Sequence, residues 1–97
     1  MVRHVVSWNF KPEVSEERRA ELRQELAAAF PTLVGKIPGL TKVLVGAPPL
    51  ASSSCDLALY CELEKEEDLA VYQNHPEHLK IAAIVRANCQ DRRCVDL

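Results

Sequence analysis

Residues 2 to 10 place the tightest limit on what this chain can become: Val2, His4, Val6, Trp8 and Phe10 alternate with Arg3, Val5, Ser7 and Asn9. A period of two is the signature of a strand, and so apolar a face has to be covered by other elements. Lys11-Pro12-Glu13 ends the run, and the period then changes. Behind Ser15, a good N-cap, and the dipole-favoured Glu16 and Glu17, the positions Leu22, Leu26, Phe30, Leu33 and Ile37 recur at helical spacing. Pro31 cannot donate a helical hydrogen bond, so the spacing predicts a break after Ala29 and a short second segment over 31–36.

Ile37-Pro38-Gly39 stops that helix, and 40–45 reads as a strand rich in β-branched residues. A polar, proline-rich loop over 48–54 leads to a second alternation over 56–63, with Leu57, Leu59, Cys61 and Leu63 on one face. The acidic run 64–68 reads as a solvated helix start, and Pro76 should end that helix near Asn74 or His75 and open another. Over 78–87, Leu79, Ala82 or Ala83, and Val85 are the expected buried stripe, and a last strand is expected from about 91 to 97. The order is βαββαβ in one domain over 1–97. Right-handed crossovers put the helices on one face of a four-stranded antiparallel sheet. The other face would carry Val5, Ser7, Val43 or Leu44, Ala58, Tyr60, Arg93 and Val95, too apolar to stay in water, so a homodimer through this face is expected.

A net charge of −2 supplies no basic field, so no nucleic-acid partner is expected. No apolar run approaches the roughly 20 residues that span a bilayer, and no leader is apparent; a cytoplasmic protein without membrane contact is the expectation. The four cysteines, 55, 61, 89 and 94, show neither a C-x-x-C pair nor ribbon-type zinc spacing. Reduced thiols, no metal and no cofactor follow as expectations.

The chemistry concentrates in Tyr72-Gln-Asn-His75-Pro76-Glu77-His78-Leu79, where two imidazoles and a phenol surround one proline-marked break. His4, Val6 and Trp8 point into the same layer between sheet and helices, and Phe30, Leu57, Leu59, Cys61, Arg92 and Cys94 would complete its wall. Together with the opening Val2–Phe10 and the ending Arg93-Cys-Val-Asp96-Leu97, this stretch resembles the stress-responsive A/B barrel domain family of the dimeric α+β barrel superfamily, over nearly the whole chain. The resemblance implies a ferredoxin-like α+β fold whose face-to-face dimer forms an α+β barrel. Certain members, the plant polyketide cyclases, use a tyrosine and a histidine for acid/base chemistry, and Tyr72 and His78 match those positions, with His75 and His4 matching further pocket histidines.

Catalytic roles are therefore expected for Tyr72 and His78, and ligand contacts for His4, Trp8, Cys61, His75 and Arg92, with a cap on the helix after Pro76 as the alternative role of His75. Leu57 stands where such a cyclase has another histidine, and Trp8 occupies space a long acyl tail would need. A smaller hydrophobic or aromatic ligand, anionic if Arg92 faces inward, fits better than a polyketide. Two classes stay open: a cofactor-independent acid/base enzyme of lyase, cyclase or isomerase type, and a non-catalytic, stress-associated homo-oligomer with a filled pocket.

Overall fold

In a computed structural model, described for residues 1–46 and 48–97, the chain runs β1 (Val2–Phe10), α1 (Glu16–Ala29), a 3-10 turn (Phe30–Leu33), β2 (Leu40–Val45), β3 (Leu57–Leu63), α2 (Glu67–Asn74), α3 (Pro76–Asn88) and β4 (Cys89–Asp96). Every strand pairing is antiparallel and the sheet order is β2-β3-β1-β4, the ferredoxin-like arrangement. The Ser15 hydroxyl accepts the Arg18 N–H at 3.1 Å and starts α1 where an N-cap was expected. Past Ala29 the chain tightens into the single 3-10 turn, shorter than the segment the proline suggested.

The layer between sheet and helices holds the core. Val6, Leu59, Cys61 and Leu63 meet Leu22, Leu26, Phe30, Leu33 and Ile37 there, all nearly inaccessible to solvent. Two details of the core depart from the sequence pattern. Leu79 is exposed and Ile81 is buried in its place, because α3 begins at Pro76 and its inward stripe runs through His78, Ile81, Ala82 and Val85, the i, i+3, i+4, i+7 set. Asp68, expected on a solvated face, is only 7% exposed; its carboxylate accepts the Lys65 N–H at 3.2 Å and lies against Gly39.

Among the described residues, no helix covers the far face of the sheet. Register puts Leu44 rather than Val43 on it, opposite Tyr60, with Val5 opposite Val95 and Ser7 opposite Arg93. Leu44 and Val95 are 54% and 49% exposed, so an apolar surface is left open there. β4 starts at Cys89, directly after α3 and earlier than the pattern suggested. Between Ser7 and Asn9 its pairing with β1 slips at a bulge, where Asp91 takes φ 56°, a left-handed conformation that Asp tolerates better than most residues. The Asn9 amide donates to the Asp91 carboxylate at 3.1 Å and holds it there.

Candidate functional site

The break at Pro76 builds the site. His75 adopts an extended ψ of 133°, as a residue before proline should, and its Nδ1 accepts the Glu77 N–H at 3.1 Å to cap α3. Ending α2 at Asn74 leaves its last carbonyls without helical donors. One of them, Gln73 C=O, takes a hydrogen bond from His78 Nδ1 at 3.1 Å. A carbonyl only accepts, so Nδ1 carries the proton and Nε2 keeps the lone pair of the neutral ring. The Tyr72 ring lies 4.3 Å from the His78 ring at a tilt of 43°.

On the opposite wall, His4 is 2% exposed and stands edge-on to Tyr72 at 5.8 Å. Its Nδ1 donates to Asp96 Oδ1 at 2.5 Å, so this nitrogen carries a hydrogen. The sequence pattern showed no carboxylate for the pocket histidines. Antiparallel pairing sets Asp96 directly across from His4, a relation invisible without the register.

Between these walls lies a cavity of about 360 Å³, within the range of small-molecule sites. His4, Trp8, Tyr72, His78 and Arg92 all line it. Two residues expected at the ligand are not on its surface. Cys61 is wholly buried behind Tyr72, its thiol 3.8 Å from the phenol oxygen, and His75 is turned to its capping bond. Leu57 and Cys94 also stay off the cavity wall, whereas Phe30 and Leu59 form part of it. Sequence reasoning missed Arg86 and the bulge residues Gln90 and Asp91, which line the cavity beside Arg92. The bulge had no local signal beyond a polar run.

Burial pulls His78 below the ordinary imidazole range, with the Gln73 carbonyl opposing and His4, Arg92 and Arg86 adding to the depression. Burial also holds the Tyr72 phenol far above its usual range, aided by Cys61, and it pushes the Cys61 thiol up to about 11. At neutral pH the wall thus presents a neutral imidazole with an accepting nitrogen beside a protonated phenol.

Fold and site together define a small α+β protein with a ligand-sized cavity between a four-stranded sheet and its helices. The chain belongs to the stress-responsive A/B barrel domain family, whose model matches residues 2–97. No protein of curated function matches it by sequence. Among solved structures, it is similar to a dimeric ferredoxin-like protein of unknown function from Bacteroides fragilis, with 28% identity over 99% of this chain and 93% of that one and a TM-score of 0.90. A dimeric ferredoxin-like protein of unknown function from Thermobifida fusca is 27% identical over 99% of this chain and 88% of that one, with a TM-score of 0.80. A hydroxynitrile lyase from Passiflora edulis, 16% identical over 99% of this chain and 90% of that one at a TM-score of 0.75, shares the fold.

Proposed function

We propose that this protein is a cofactor-independent acid/base enzyme acting on a small hydrophobic or aromatic anion held in the cavity. The observation that carries the reading is the pairing of His78 and Tyr72 on the cavity wall, with the His78 tautomer set by the Gln73 carbonyl. His78 Nε2 removes a proton from an acidic carbon, and its depressed basicity keeps it unprotonated and ready at neutral pH. The Tyr72 oxygen accepts the Cys61 thiol hydrogen, which leaves the phenol O–H to donate to the carbonyl oxygen where enolate charge develops. Arg92, with Arg86, supplies positive charge at the wall for a carboxylate on the substrate. His4, backed by Asp96, stands against Tyr72 and keeps its ring in place.

An open cavity favours this reading over the filled, purely structural layer, since Trp8 narrows the space without closing it. The hydroxynitrile lyase of like fold adds only that this scaffold can house an enzyme's site. The working unit is a homodimer formed through the helix-free sheet face, a reading supported by the exposed Leu44 and Val95 and by the dimeric relatives.

The test is proton exchange at the methylene of phenylpyruvate, an aromatic acid with an acidic carbon, followed by NMR in heavy water. The protein should accelerate exchange, His78→Ala should lose about a hundredfold or more of that acceleration, and Tyr72→Phe a comparable amount, with melting temperature and dimer mass unchanged. Exchange accelerated equally by wild type and His78→Ala would remove His78 as the base. Loss of stability with no acceleration in any form would return the pocket to architecture.

A further inference from the structure

Cys94, opposite Val6, and Asp96, opposite His4, fall on the same side of adjoining strands as His4, away from the sheet face assigned to the dimer. There the Cys94 Sγ lies 3.7 Å from His4 Nδ1 and 3.8 Å from each Asp96 carboxylate oxygen, while His4 Nδ1 and Asp96 Oδ1 are 2.5 Å apart. One nitrogen, one sulfur and one oxygen therefore converge from three side chains, and all three ligand atoms lie within 4.8 Å of one another.

Those separations can be set against metal geometry. With zinc bonds of about 2.0 Å to nitrogen and oxygen and about 2.3 Å to sulfur, the edges of a tetrahedron are about 3.5 Å from sulfur to either neighbour and about 3.3 Å from nitrogen to oxygen. The two sulfur edges are already near that length. The remaining edge needs the Asp96 carboxylate, 37% exposed, to swing outward by under about 1 Å once a metal replaces the proton it now shares with His4. The anchor of the set is rigid, because His4 is 2% exposed, and the other two ligands are reachable from solvent, because Cys94 and Asp96 lie on the uncovered stretch of β4.

We infer that His4 Nδ1, Cys94 Sγ and one Asp96 oxygen form a site for a borderline-soft divalent transition metal, of the zinc or cobalt class, with a fourth position open to water or a small ligand. Thiolate and imidazole donors select this class over magnesium or calcium, which prefer all-oxygen shells. On binding, the Cys94 thiol releases its proton to solvent, and His4 gives up its Nδ1 hydrogen to bind through that nitrogen, with the ring hydrogen carried on Nε2. The site is separate from the His78 base and stands whether or not the acid/base reading does. Spacing rules miss it because its ligands come from the two ends of the chain, joined only by the β1–β4 register.

The experiment is cobalt(II) titration of the purified, metal-stripped protein, followed by absorption. One cobalt per chain, a near-ultraviolet thiolate-to-cobalt band and the visible bands of a four-coordinate ion are expected, and zinc(II) should displace them. Cys94→Ala should abolish the thiolate band and weaken binding by more than the roughly tenfold to hundredfold that loss of an outer partner costs, while Cys55→Ala leaves both unchanged. Asp96→Asn should weaken binding but keep the thiolate band. Absence of a thiolate band in the wild type, or equal affinity in Cys94→Ala, overturns the proposal. Because Cys94 is exposed, its removal should not unfold the protein, and circular dichroism of the variant checks that directly.

Discussion

The two edges of the sheet are built differently. On the β2 side, Leu40 and Val43 close against Leu33 and Ile37 near the 3-10 turn, and all four are nearly solvent-free. Even the backbone is in contact there: Gly39, at φ 84°, sits so close to the Asp68 carboxylate that no side-chain carbon would fit between them. On the β4 side, only Cys89 is buried along the strand. The helix above it, α3, directs just Ile81 and Val85 into the core, with Ala82 between them too short to fill the gap and Leu79 and Ile84 turned outward. A sheet needs its inward side chains covered to be stable, and where the cover is thin they become available for ligands. Arg92, Cys94 and Asp96 lie along this lightly covered edge, with His4 paired to it from the neighbouring strand β1.

The largest effect should come from the packed edge. Gly39→Ala places a methyl into the Asp68 carboxylate and forces alanine into a left-handed backbone, so it should cost about 3 kcal/mol or more in denaturant unfolding. Gly35→Ala, at φ 90° with open space around it, isolates the backbone strain and should cost about 1 kcal/mol. If the two variants proved equally unstable, the close packing assigned to the β2 edge would be wrong.

A smaller effect separates the edges more sharply. Ala29 packs against the core and Ala82 lines the cavity. Ala29→Leu should overpack its surroundings and cost about 1 to 3 kcal/mol, whereas Ala82→Leu should fall within about 1 kcal/mol of wild type because its side chain enters empty volume. Phenylpyruvate exchange should be blocked in Ala82→Leu alone. A large loss of stability in that variant would mean that the cavity is already occupied by protein.

The smallest effect is a pH dependence. His78 has its proton affinity lowered in the folded state by burial, so the unfolded chain binds more protons between the folded value and the ordinary imidazole value of about 6.5. Stability therefore rises with pH through that window, is fully present above about 6.5, and falls as acid is added. Unfolding stabilities of wild type and His78→Gln should keep a constant difference above the window, and the wild type should lose stability relative to His78→Gln as the pH falls through it. A wild type that gained stability on acidification relative to His78→Gln would reverse the assignment.

What the amino-acid order determined by itself is everything that depends on near neighbours. The alternation of Val2 to Phe10, the Ser15 cap, the breaks at Pro31 and Pro76 and the helical stripe from Leu22 to Leu33 are local backbone and side-chain preferences, and they sufficed for the βαββαβ order. They also placed Tyr72 and His78 on either side of one break, because proline acts on the residue just before it. Only the tertiary structure decided which groups those residues meet. Asp96 across from His4, Cys94 beside both and the retreat of Cys61 behind Tyr72 follow from strand register and from how the helices pack on the sheet, whereas the His75 cap and the Gln73 carbonyl on His78 stay local to the Pro76 break. Register is set cooperatively by the whole buried face, and a single-residue slip in it would have turned His4 and Asp96 to opposite sides of the sheet.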